Sequence, residues 1–174
     1  DPTRPQLING DFEQPLNEKG FVPGWYYERQ LTRMTDPTAP SGQHFVQFQT
    51  DVPGQLAHLM QAFEIDGGHV ASVKFSATFA GENVGKGPGQ SDYPGALLSF
   101  YNNDKEELGS AVIGPFKGTQ EWKTVTQSVR VPRAATHAFV RIGLFGAIGA
   151  AKFDNLSVSV DKLVEKKSKD EKKV

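Results

Sequence analysis

Apolar and polar residues alternate along most of this chain with a period of two, the pattern of strands half-buried in a sheet. Val73, Phe75, Ala77 and Phe79 fall on one face, with Lys74, Ser76 and Thr78 on the other. Val125, Val129 and Val131 alternate with polar residues until Pro132 ends the run. Ala138, Val140, Ile142 and Leu144 give a further apolar face, and Leu156, Val158 and Val160 the last. Shorter runs lie at 25–34, 44–50, 56–65, 96–101 and 110–113. Pro23-Gly24, Pro40-Ser41-Gly42, Pro53-Gly54, Asp66-Gly67-Gly68 and Asn102-Asn103-Asp104 separate them. Leu56, Leu59, Met60 and Phe63 also have helical spacing, but the Gly-Gly turn and strong strand after them predict a hairpin. About nine short strands so spaced predict an all-β, antiparallel β-sandwich.

Composition narrows the class. The 174 residues suit one domain, with 37% hydrophobic residues and 12 Phe to build its core. With 18 Gly and 11 Pro, long helices are disfavoured. The net charge of −1 argues against a nucleic-acid partner. No apolar run reaches the ~20 residues of a transmembrane segment. Cysteine is absent, which removes disulfides, thiolate nucleophiles and Cys-ligated zinc. Asp1 opens the chain without Met, predicting a processed or excised form.

Three segments follow from the pattern: a Pro-rich linker over 1–5, a β domain over 6–160 and a flexible charged tail over 161–174. The tail carries six Lys against four acids and has no apolar period. Inside the domain, 81–95 reads as a Gly-rich functional loop, without the spacing of a phosphate loop.

The order LINGDFEQP, Pro23-Gly24-Trp25, Ser41-Gly42, Gln61-Ala62-Phe63-Glu64-Ile65, Trp122 and finally KFDNLSVSV resembles the galactose-binding-like jelly rolls. The nearest in appearance are carbohydrate-binding modules of secreted bacterial glycanases. The resemblance spans roughly residues 6–160. It implies a jelly roll, a polysaccharide or glycan partner, and a secreted, periplasmic or cell-surface location. A larger parent protein or an envelope partner fits it as well. The same fold also serves as a structural or protein-interaction module without a sugar ligand, so fold alone does not give function.

Alternation places the candidate residues. With Leu98 and Phe100 inward, Leu97, Ser99 and Tyr101 face outward; with Val140, Ile142 and Leu144 inward, Phe139, Arg141 and Phe145 face outward. Trp25, Tyr27, Arg29 and Arg33 share a face of their run. Aromatic rings stack on a pyranose while Arg and amides bond its hydroxyls, so Trp25, Tyr27, Arg29, Tyr93, Tyr101 and Arg141 form the candidate ligand set. Tyr93 would close over it from the long loop. The competing reading puts these rings in the core, which fits Trp122 best and Trp25 as well as stacking does.

Asp11, Glu13 and Asp154 lie near the two ends of the domain. Calcium takes six to eight oxygens. In similar modules a structural calcium ties the first strand to the last. Carried over, Glu13 and Asp154 would supply carboxylates, and Asp11, Ser41 and Gly42 further oxygens. Alternatively Asp11 caps a turn and Asp154 accepts backbone amides. The apolar phase slips at Asp154, which predicts a bulge. The four His show no metal-ligand spacing. No nucleophile elbow is present, and no carboxylate pair is placed for glycoside hydrolysis, so the expected module is non-catalytic.

Overall fold

The structure is a computed structural model, described here for residues 1–166. Ten strands run in chain order: β1 (Tyr26–Arg29), β2 (Leu31–Thr35), β3 (His44–Thr50), β4 (His58–Glu64), β5 (Val70–Gly85), β6 (Gly95–Tyr101), β7 (Glu107–Ile113), β8 (Gly118–Arg130), β9 (His137–Gly143) and β10 (Ile148–Leu163). Sheet A has the order β1-β4-β9-β6-β7, and sheet B the order β2-β3-β10-β5-β8. All pairings are antiparallel. The chain switches sheet at most connections, as a jelly roll requires, and the described residues contain no helix.

The period of two does what the sequence predicts. Val73, Phe75, Ala77 and Phe79 on β5 point into the space between the sheets, as do Ala138, Val140 and Ile142 on β9. Phe12, Phe48, Phe75, Phe100 and Phe153 are fully buried there, each contributing about 2–3 kcal/mol of apolar transfer free energy. Phe79 and Phe116 stack at 4.7 Å.

Five features differ from expectation. The run 25–34 is two strands: Gln30, at φ +54°, breaks it and sends β1 to sheet A and β2 to sheet B. The turn after β4 is no hairpin, because β4 and β5 also belong to different sheets. Strand β5 continues to Gly85, so the long loop is only 86–94. At the termini, β10 runs to Leu163, past residue 160, and the Val164 amide bonds the His69 carbonyl. Residues 167–174 of the expected tail lie outside the described residues. The expected linker is packed: Pro5 is buried and the Pro2 carbonyl accepts the Asp66 amide.

The predicted bulge is present. Register shifts between Asp154 and Ser157, with Asn155 at φ +50°. The Leu156 amide there bonds the Gly10 carbonyl at 2.9 Å. A Cβ on Gly10 would sit 1.9 Å from the Leu156 carbonyl oxygen, so only glycine lets residues 9–13 lie against β10.

Candidate functional site

The outer face of sheet A carries a groove of about 770 Å³. Strand register lays out this face row by row, and the groove occupies its β4, β9, β6 and β7 part. Tyr26 opposes Met60, Met60 opposes Arg141, Arg141 opposes Leu97 and Leu97 opposes Val112, so one row crosses all five strands. The next row is Ala62, Phe139, Ser99 and Ser110; beyond it lie Glu64, His137, Tyr101 and Glu107. These positions face outward because their neighbours Leu59, Val140, Ile142, Leu98 and Phe100 are buried in the core.

Tyr101 and Phe139 meet edge to face at 5.3 Å and form an aromatic corner in the floor. Arg141 lies over the Phe145 ring at 5.0 Å. The β6–β7 turn forms one wall. There Asn102 serves the turn itself, its Oδ1 accepting the Asp104 and Glu106 amides, while Asn103 and Lys105 line the groove. Rings, amides, a hydroxyl and cations around one open groove are chemically suited to a chain of pyranose rings.

Two members of the expected ligand set, Tyr101 and Arg141, line this groove. Trp25 does not. It is buried, 5.5 Å from Phe12, and its indole N–H donates to the Asn9 carbonyl, so it plugs the core. Tyr27 sits at a β1 bulge with φ +57° and projects into solvent outside the groove lining; Tyr26 takes the cross-strand position instead. Arg29 opposes His58 at the β1 end of the face. Arg33, in the other sheet, donates to the Phe12 and Glu13 carbonyls. Half-buried Tyr93 precedes β6 and is not in the lining. Trp122 packs edge-on against Phe45 at 5.2 Å; it is half-buried on sheet B and lies outside the core cluster.

Met60, Phe139, His137, Lys105 and Glu107 complete the groove. Alternation had already turned Phe139 outward. The others needed the register between strands, which a single sequence does not contain.

The second constellation lies at the bulge in the middle of β10. The Ser41 amide donates to Asp154 Oδ2 at 3.0 Å, and the Asn155 amide to Oδ1 at 2.8 Å. Glu13 Oε1 accepts the Gln43 and His44 amides. Gly42, at φ +57°, presses on the Glu13 carboxylate: a Cβ there would lie 2.4 Å from its Cδ. Asp11 Oδ1 accepts the Glu13 amide at 3.3 Å. The structure thus brings Asp11, Glu13, Ser41, Gly42 and Asp154 together. Asp154 is fully buried, and burial pushes its carboxyl up to about 7, against two amide bonds and with help from the Glu13 and Asp11 charges. Among the described residues no three His, Asp or Glu side chains converge as a metal set. An ion here would therefore take most of its oxygens from backbone carbonyls.

No protein-family model matches the chain, and no curated protein matches it in sequence. Solved structures do. A phage tailspike domain (bacteriophage CBA120 tailspike protein 4, enzymatically active domain) matches with TM-score 0.62 and 13% identity over 89% of this chain and 21% of that one. A structure described as family 16 carbohydrate-binding module-2 matches with TM-score 0.60 and 15% identity over 91% of this chain and 99% of the other. The fold is that of carbohydrate-binding jelly rolls. A cyclase from Fischerella sp. TAU shares it, with TM-score 0.55 and 16% identity over 93% of this chain and 100% of that one. The chain spans only about a fifth to a quarter of the first structures it matches. Among the described residues no helix is long and apolar enough to cross a membrane.

Proposed function

We propose that this protein is a non-catalytic carbohydrate-binding module that holds a polysaccharide in the sheet A groove. It would act outside the cytoplasm, in a secreted, periplasmic or cell-surface setting, as part of a larger protein or beside an envelope partner. The groove itself carries this reading: it is open, crosses the strands, and has the Tyr101–Phe139 corner as floor with Arg141 and Asn103 beside it. Only one carboxylate, Glu107, lines it among the described residues. Glycoside hydrolysis by the usual route needs two, which supports binding over cleavage.

The Asp154 cradle fits a structural calcium ion of the kind the resemblance implies. Glu13 and Asp154 would supply carboxylate oxygens, and Asp11, Ser41 and Gly42 further ones. A buried carboxylate that resists ionisation is a group a divalent cation stabilises. The ion would tie residues 9–13 to β10 and leave the groove chemistry to the side chains above.

Affinity electrophoresis against soluble polysaccharides, with calcium present, tests the function. Retardation by one polymer class, lost in Tyr101→Ala, is the expected result. Equal mobility on every polymer would move the assignment to a protein-interaction module, and release of sugar from any polymer to an enzyme.

A further inference from the structure

At the β1 edge of the sheet A face, beside the groove lining, positive groups gather that form no ion pair among the described residues. Arg29 on β1 directly opposes His58 on β4. Two residues along β4, on the same outward face, Met60 opposes Arg141 of β9. His58 is held below its ordinary value by burial and then by the Arg141 and Arg29 charges. The described residues contain two ion pairs, His44–Glu13 and Lys152–Glu82, and neither involves this cluster. Two acids beside this region turn to backbone amides and not to the arginines. Glu28 accepts the Val22 amide, and Asp92, in the loop beside Gly146, accepts the Gly89 amide. Among the described residues the Arg29 guanidinium donates to the neighbouring Glu28 carbonyl alone. Arg141 is braced on Phe145, and among the described residues its guanidinium makes no hydrogen bond.

Like charges gathered on one face repel unless a counter-anion enters, and a braced guanidinium is shaped to receive an oxyanion through two N–H groups. At the other end of the groove Lys105 and Glu107 balance one another in charge, so the excess of cations lies on the Arg141 side. We infer that the glycan bound in the sheet A groove is anionic, and that Arg141 with Arg29 receives a carboxylate or sulfate group on a sugar ring seated beside the Tyr101–Phe139 corner. This rests on the carbohydrate-binding reading above and names the ligand class for the same groove. The net charge of −1 means that the body of the protein supplies no general attraction for a polyanion. Affinity for one must come from a local cluster.

Binding is measured by affinity electrophoresis and calorimetry with calcium present. The probes are polygalacturonate as the carboxylate source, dextran sulfate as the sulfate source, and neutral galactan and xylan. The expected result is at least tenfold tighter binding to one polyanion than to either neutral polymer. Raising the salt from 50 to 500 mM should weaken it about tenfold or more, as screening predicts. Arg29→Gln with Arg141→Gln should abolish that preference. Lys117→Gln with Lys123→Gln, the same charge change near and on β8 of sheet B, should leave it intact. Preference for the carboxylate or the sulfate polymer identifies the source. Salt-insensitive binding to a neutral polymer, equal in the Arg variant, overturns this inference and leaves the binding function standing. Binding to none of the four, in a protein that also ignores the wider panel, overturns both.

Discussion

On the outer face of sheet B, polar side chains answer one another. Ser76 and Thr126 bond across β5 and β8 at 2.9 Å, and Thr78 and Thr124 at 2.8 Å. Asp161 accepts both Ser72 and Ser128 hydroxyls, and Lys152 pairs with Glu82. On the outer face of sheet A, Tyr101, Phe139 and Arg141 instead line open space. Both sheets have five antiparallel strands over one core, so backbone geometry does not make this difference. The side chains chosen for the outward positions do. A face whose polar groups are satisfied internally offers little to a ligand; one that leaves rings and cations open spends no stability on pairing them and keeps them for a partner.

The contrast breaks most sharply if the open face proves dispensable. Tyr101→Ala with Phe139→Ala should weaken glycan binding about a hundredfold or more, the loss of roughly 3 kcal/mol expected when a central aromatic anchor is removed. Both side chains are on the surface of the sheet, so the thermal midpoint should move little. Calorimetry and thermal melts of the same sample check the two halves together. Unchanged affinity would remove the sheet A face as the binding site.

The cradle between the two ends of the chain gives the next largest effect. Calcium at a hundred times its dissociation constant should add about 2.7 kcal/mol to stability. In chelator the sign with pH is set by Asp154. Its folded value, about 7, lies above the ordinary 3.8, so between these values the folded state keeps a proton that the unfolded chain gives up. Stability from this group is therefore lost as pH rises from about 4 to 7. Bound calcium favours the carboxylate and should flatten that slope. Asp154→Asn should remove it, measured as the difference from wild type in denaturant midpoints across the window. A wild-type slope identical to that of the variant in chelator, with no shift on adding calcium, would leave the cradle as a set of amide bonds alone.

Trp122 sharpens the comparison from the other side. It covers Phe45 on sheet B, half-buried. Trp122→Ala should cost about 2 kcal/mol, below the range for a fully buried ring, and leave glycan affinity within twofold. Weakened binding at unchanged stability would mean that sheet B, too, presents a ring to the ligand.

The core and the strands were legible because alternation is a local signal: each of Val73, Phe75, Ala77 and Phe79 can be assigned from its two neighbours. The bulge at Asp154 was legible for the same reason, as a slip in phase. What failed was continuity. Gln30, polar and without Gly or Pro beside it, breaks a run that alternation alone joins, and so Trp25, Tyr27, Arg29 and Arg33 scatter to the core, a bulge, the open face and the opposite sheet. The groove was half legible. Tyr101 and Arg141 declare their face by alternation, but His137 beside Tyr101 and Leu97 beside Arg141 depend on register between strands distant in sequence. Lys105 and Asn103 belong to a turn whose side chains no periodicity fixes. The cradle residues were found through a resemblance, since nothing in their spacing brings Ser41 to Asp154.

The smallest effect concerns the satisfied face itself. Thr78 is almost fully buried and shares its hydroxyl bond with Thr124, which faces solvent more openly. Thr78→Val keeps the shape and the β-branching while removing the bond. The freed Thr124 hydroxyl can turn to water, so the cost is that of one exchanged hydrogen bond, about 1 kcal/mol. Thr124→Val should cost more, because it strands the Thr78 hydroxyl where water does not reach. Neither should change glycan binding. The order of the two, read from denaturant midpoints at constant slope, tests whether sheet B gains its stability from pairing. Equal and negligible losses would show that the hydroxyl ladder is decoration on an already stable sheet, and the difference between the two faces would then rest on the open face alone.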